Sequence, residues 1–203
     1  MKSVYLLVVR NLLQFSCGPK DNGRYDFCEA CSTCGTGARR IDPISLPISR
    51  LRHCVSQTLD SEVVIPPRLV SKIMSLAPQC LRVIVSGSDK LPSEYYELVP
   101  ELILPPWDET TTGWEMSRLD PPCSRCKRDG YYNIPHIPLL LRYKKPIPSF
   151  HVAATYECFG RSGINVDFRE SHFAASCLVI SGQMKDILSR ERGLEFYPVE
   201  VTK

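Results

Sequence analysis

No stretch of this 203-residue chain holds eighteen consecutive apolar residues, the length at which a run reads as a membrane-crossing helix. A membrane role is therefore not expected. Charge of one sign is also scarce, because 25 Lys and Arg against 22 Asp and Glu leave a formal +3. That balance is too small to name nucleic acid as a partner. Histidine is sparse: His53, His136, His151 and His172 are the only four, and none has HExxH-type metal spacing. His53 beside Cys54 does not by itself make a catalytic pair. The stretches "VSGSDK" and "CFGRSGIN" match no phosphate-binding loop. These absences leave little from which to build an active site, and no enzyme is expected.

Cysteine, by contrast, is abundant at ten residues. In a small secreted domain that count would suggest a disulfide framework, but paired CxxC motifs in a chain this long fit a metal better. The compartment turns on the start, "MKSVYLLVVRNLLQFSCG". Its Lys2, apolar run and Cys17 mimic a lipoprotein signal. The run Val4–Val9 is nevertheless short for a signal core, and Arg10-Asn11 interrupts it. Gln14 and Phe15 also stand where such a signal wants leucine and a small residue. The reading is a buried first strand over residues 3–9, a cytoplasmic protein and reduced thiols.

The stretch "FCEACSTCGTG" holds Cys28, Cys31 and Cys34, two overlapping CxxC pairs. A second motif, "PPCSRCKRDGYY", holds Cys123 and Cys126. Two residues between cysteines let the chain turn tightly, so that both sulfurs face one ion. A glycine after the second cysteine tolerates the positive φ such a turn uses. Gly35 follows Cys34, whereas Ser32 follows Cys31. The first ligand pair is thus read as Cys31–Cys34, with Cys28 a fifth thiol nearby. Four thiolates are the tetrahedral set that a structural Zn²⁺ prefers.

Between Cys34 and Cys123 lie 88 residues. Closing that loop costs about 4 kcal/mol by the logarithmic rule, whereas structural zinc sites return on the order of 10–16 kcal/mol. One zinc per chain, with no ligand position open for chemistry, is the expectation. Two alternatives stand beside it. Thioredoxin-like redox chemistry would need a helix behind the CxxC, and neither motif has one. Unmetallated thiols can also simply pack as small apolar groups, as is expected of Cys17, Cys54, Cys80, Cys158 and Cys177.

The remaining pattern is α+β. In "ARRIDPISLPISRL", Pro43 and Pro47 favour extended edge structure. "PPRLVSKIMSLA" predicts a helix opened by Pro67, with Leu69, Val70, Ile73 and Leu76 or Ala77 on one face. "QCLRVIVSG" is a short β-rich run. Residues 91–122 read as irregular, with Trp107 and Trp114 as anchors. Trp107, Trp114, Tyr95 and Tyr96 are the candidate exposed partner contacts there, although burial of both tryptophans is the competing reading. At the end, "CLVIS" is a strand, Ser181 an N-cap, "GQMKDILSRER" a helix stopped by Gly193, and "LEFYPVEV" a strand. The whole chain, 1–203, reads as one domain. Knuckles near 28–37 and 121–131 flank an insert, 38–120, and a C-terminal strand–helix–strand unit occupies 150–203.

A basic run around the second knuckle, Arg125, Lys127, Arg128, Arg142, Lys144 and Lys145, is interleaved with Tyr131, Tyr132 and Tyr143. This pattern can bind nucleic acid by phosphate contact and stacking. Such a run is more often a solvated face, and the net charge lends no support to nucleic acid.

Taken together, these motifs resemble the myxobacterial paralogous double-CxxCG family. The resemblance rests on the N-terminal strand, "CSTCGTG", "PPRLVSKIMSLA", "PPCSRCKRDG" and the ending "DFRESHFAASCLVISGQMKDILSRERGLEFYPVEV". It places the motif on Cys31, Cys34 and Gly35, then on Cys123 and Cys126. Lys127 departs from it, standing where the second motif has glycine. The resemblance implies a zinc-ribbon-like cluster and a non-catalytic cytoplasmic immunity protein. Its implied partner is the C-terminal domain of a cognate polymorphic toxin delivered by outer-membrane exchange. The alternative is a zinc-ribbon regulator that binds nucleic acid.

Overall fold

The first strand, β1 (Val4–Val9), has apolar side chains on both faces because it runs through the middle of a sheet. Leu6 points into one apolar cluster, while Leu7 and Val9 point into another. The computed structural model describes residues 3–15, 23–51, 53–87, 90–114, 123–130, 135–143, 145–159 and 174–202.

The next strands are short: β2 (Tyr25–Asp26), β3 (Arg39–Arg40), β4 (Ser45–Leu46), β5 (Ser56–Gln57) and β6 (Val63–Ile65). Helix α1 (Pro67–Leu76) begins at Pro67, where a missing N–H costs nothing, and buries Leu69 and Ile73 as the sequence predicts. Pro78 follows directly and ends it. Then come β7 (Leu81–Ser86), β8 (Leu91–Leu98), β9 (Leu102–Ile103), β10 (Thr112–Trp114), β11 (Pro135–Arg142) and β12 (Val152–Phe159). The chain closes with β13 (Ala175–Ser181), α2 (Gly182–Leu188) and β14 (Leu194–Thr202).

Two larger sheets result. Seven strands align in the order β10-β11-β14-β1-β13-β12-β9, and five in the order β4-β7-β8-β6-β5; β2 and β3 form a separate hairpin. Helices α1 and α2 pack together in the cluster shared by the two sheets. Leu7, Val9 and Ile180 of the large sheet meet Val63, Ile65 and Leu98 of the small one there, with Leu69, Ile73, Met184 and Leu188 of the helices. The far face of each sheet carries its own cluster, one around Leu6, Trp107, Leu141 and Phe159, the other around Ile44, Leu46, Ile84 and Tyr95. The α+β expectation holds in a sheet-rich form.

The C-terminal unit differs from a simple strand–helix–strand. Strands β13 and β14 both run antiparallel to β1, which lies between them. Ser181 caps α2 by accepting from the Met184 N–H at 3.2 Å, as expected. The helix stops at Leu188 rather than continuing through "SRER". Gly193, at φ +77°, then makes the return, and a side chain there would strike Asn11. Arg68 of α1 pairs with the buried carboxylate of Glu191 in this return, tying the two helical segments together.

Residues 91–114 are only partly irregular. They include β8, whose central position in the small sheet pairs it with both β7 and β6. Pro92 misled the sequence reading. It lies in the first turns of pairing at the strand's end, where a lost N–H is tolerated. Residues 115–122, also read as irregular, lie outside the described residues.

Candidate metal centre

The first knuckle lies between β2 and β3, so a short hairpin presents it. Within the turn, Gly35 N–H donates to Cys31 C=O at 2.7 Å and Cys31 N–H to Thr36 C=O at 2.9 Å. Gly35 sits at φ +72°, as its choice as the turn residue requires. The second knuckle repeats the turn with different residues. Lys127 N–H donates to Cys123 C=O at 3.0 Å, and Lys127 itself takes φ +55°. Lysine therefore adopts the backbone that glycine adopts in the first knuckle. The amide of Cys123 donates to the Asp129 carboxylate at 2.9 Å, a role that a backbone carbonyl fills for Cys31.

The two turns bring Cys31, Cys34, Cys123 and Cys126 together, with all four Sγ atoms within 4.8 Å of one another. Cys31 Sγ is 3.8 Å from Cys123 Sγ, and Cys34 Sγ is 3.6 Å from Cys126 Sγ. A tetrahedral thiolate site with metal–sulfur bonds of about 2.3 Å has sulfur–sulfur edges of roughly 3.8 Å. The cage thus has the size and donor set for such an ion. Cys28 is exposed and outside the cluster, its amide held by the Asp26 carboxylate at 2.9 Å.

The electrostatics are uneven. Burial pushes the Cys31 thiol up, but the N–H groups of Thr33 and Cys34 and the neighbouring thiols outweigh it, bringing the pKa to about 7. Burial raises Cys34 despite the Thr36 hydroxyl 3.1 Å from its sulfur, and burial also raises Cys126. A bound cation would invert this by favouring all four thiolates, with release of protons.

Each knuckle is anchored to a different sheet. The first hairpin meets the small sheet through Arg82, whose guanidinium donates to Arg40 C=O at 3.2 Å. Arg40 in turn lies over the Tyr25 ring at 5.5 Å. The second knuckle is stitched to β12 of the large sheet. Arg128 Nε donates to Tyr156 C=O at 3.0 Å, its guanidinium stacks on the Tyr156 ring at 4.1 Å, and its own carbonyl accepts from Cys158 N–H at 2.7 Å. A metal in the cage would therefore cross-link the two sheets.

No family model, curated protein or solved structure matches the chain.

The sequence-predicted contact residues fare differently from the cysteines. Tyr95 is buried on the small sheet, and Trp107 is buried against Phe159 with ring centroids 6.1 Å apart. Tyr95 had been expected on an exposed irregular surface, and Trp107 either there or in the core; both are core residues. Tyr96 is half-buried toward the helices, and Trp114 ends β10 with its side chain outside the described residues. The basic run is not one free face either, because Arg128 is consumed by Tyr156 and Arg125 reaches Ser32. Tyr131, Tyr132 and Lys144, like Cys17 and His172, lie outside the described residues. Among the other thiols, Cys80, Cys158 and Cys177 are buried as expected, and Cys54 is half-buried.

Thr36, Asp129 and Arg128 were missed as supports of the cage. Their signal was modest: a hydrogen-bonding residue two or three places after each second cysteine, the kind that closes local turns through its side chain.

Proposed function

We propose that Cys31, Cys34, Cys123 and Cys126 hold one structural zinc ion in a zinc-ribbon-like cluster, and that the protein is a non-catalytic immunity protein. The observation that carries the metal reading is the four-sulfur cage, whose all-thiolate donors suit zinc and whose protein ligands fill a tetrahedron. Its role is structural because it would join segments anchored to two sheets. Cys31 and Cys123 are positioned by their amide hydrogen bonds, while Arg128 holds the second knuckle on β12.

The immunity assignment rests on the resemblance to the double-CxxCG family. In that reading the protein acts in the cytoplasm and neutralises the C-terminal domain of a cognate toxin by stoichiometric binding. The nucleic-acid alternative is weakened by the intramolecular engagement of Arg128.

Two measurements test the two parts. Metal analysis of protein purified under reducing conditions is expected to give one zinc per chain; absence of zinc from folded protein overturns the metal reading. If a neighbouring reading frame encodes a toxin with a variable C-terminal domain, co-expression with that domain is expected to protect cells. Failure to protect and to bind that domain, together with salt-sensitive binding of generic DNA or RNA, would favour the alternative.

A further inference from the structure

Arg128 makes contacts in three directions. Its Nε donates to Tyr156 C=O and its guanidinium lies on the Tyr156 ring, both on β12. Its backbone N–H is directed at the Cys126 sulfur, and its carbonyl accepts from Cys158 N–H. The third direction leads to the other knuckle. A Cβ placed on Gly37, which sits at φ +95° just ahead of β3, would fall 2.8 Å from Arg128 Nη1. The guanidinium and the Glu29 carbonyl together fill the space that a side chain at Gly37 would take.

One residue thus touches a cage thiol, the first hairpin and the large sheet at once. Arginine has the shape for this. Its planar fork donates from an edge while its flat face stacks, whereas lysine offers a single point charge. Arg125 adds a second link across the knuckles by donating to Ser32 Oγ, but both of those residues are exposed. Arg128 is half-buried, where polar contacts are stronger than in open water. None of these contacts needs an ion.

We propose that Arg128 is a positioning residue that docks the first knuckle on the second before metal binds, so that the four-thiol cage is preassembled. Preassembly keeps the binding-competent fraction high. A cage formed in only about one molecule in ten would bind its ion about tenfold more weakly. Gly37 is the complementary half of the device, because its missing side chain leaves the space that the guanidinium occupies. This role rests on the metal reading of the cage and deepens it, but the docking itself needs no particular ion.

Docking and metal binding are read separately in the full chain. For docking, Cys31→Ser with Cys123→Ser leaves Cys34 and Cys126, whose sulfurs lie 3.6 Å apart, as the remaining pair of the cage. Metal-free protein is treated with diamide, which takes up both thiol hydrogens as each disulfide forms, and the products are mapped by peptide mass. The Cys34–Cys126 disulfide is expected to form readily and to form about tenfold more slowly when Arg128→Lys or Gly37→Ala is added. Arg142→Ala, at an exposed arginine of β11, is the control and should not slow it. For metal, the chain with all its cysteines is titrated with Zn²⁺ against a chelator. Arg128→Lys is expected to weaken binding by about tenfold to a hundredfold. Its Co²⁺ absorption should match wild type, since the same four thiolates bind once the knuckles meet. Equal disulfide rates and equal Zn²⁺ affinity with and without Arg128→Lys overturn the role, as does a changed Co²⁺ spectrum. Absence of the Cys34–Cys126 disulfide without metal overturns preassembly while leaving the metal reading intact. An Arg128-dependent disulfide in a protein that binds no Zn²⁺ sustains the docking and removes the metal reading.

Discussion

Lys127 stands to Cys123 as Gly35 stands to Cys31: each is four residues on, each takes a positive φ, and each donates its N–H to that cysteine's carbonyl. The second knuckle thus keeps the geometry of the first without its glycine. A residue with a Cβ is disfavoured in this backbone region, where glycine is not. Lys127→Gly is therefore expected to stabilise the metal-bound protein by up to about 1 kcal/mol. Gly35→Ala should destabilise it by about 1–2 kcal/mol. Urea denaturation of the metal-bound proteins measures both. A destabilising Lys127→Gly would show that the lysine side chain, not the turn, governs this site.

The cage assignment separates the five thiols of the two motifs. Cys34→Ser and Cys126→Ser are expected to lose stoichiometric metal, whereas exposed Cys28→Ser keeps it. Chelation should lower Tm by about 5–10 °C if metal is held near a hundredfold above its dissociation constant. The two cage variants should no longer respond to chelator. Loss of metal from Cys28→Ser but not from Cys34→Ser would reverse the pair assignment.

Two buried glutamates set an unusual dependence on pH. Burial raises Glu97 to about 7 against the opposing pull of Arg82, and burial raises Glu157 to about 7 although Trp107 N–H donates to it. Each has one carboxylate oxygen buried without a hydrogen-bond partner. Because the folded pKa exceeds the unfolded value, the folded state binds more protons between about 4.5 and 7. Their contribution to stability is fully present below that window and is lost as pH rises through it. Glu97→Gln and Glu157→Gln are expected to gain stability relative to wild type between pH 5 and 8, on the order of 1–3 kcal/mol each. Denaturation curves at several pH values check the slope; a difference that does not change with pH rejects the assignment.

Burial decides between the two readings of Trp107 and overturns the exposed reading of Tyr95. Trp107→Ala should cost about 3–5 kcal/mol because it empties a packed position against Phe159. Tyr96→Ala, at a half-buried position, should cost less. Chemical denaturation gives both values. A Trp107→Ala variant of unchanged stability that fails to protect cells would restore this residue to the partner surface.

Much of the outline was legible from local pattern. The first strand, the proline-led helix α1, the Ser181 cap and the last strand each carry their signal in a few adjacent residues. So did the choice of Cys31–Cys34 over Cys28, because glycine after the second cysteine answers a backbone requirement inside one turn. Strand β8 escaped the same reading. Its Pro92 and acidic residues look like loop, and pairing with two distant neighbours overrides that local preference.

By itself the sequence determined the first and last strands, helix α1, the Ser181 cap and the two cysteine turns that can chelate, since these are matters of near neighbours along the chain. Only the tertiary structure decided that β1 lies between β13 and β14, that Tyr95 and Trp107 are core, and that the two knuckles belong to different sheets. It also decided that β1 parts from β13 beyond Leu7. Those outcomes depend on contacts between residues far apart in the chain, where burial and backbone hydrogen bonding select one arrangement among many that the same local pattern allows.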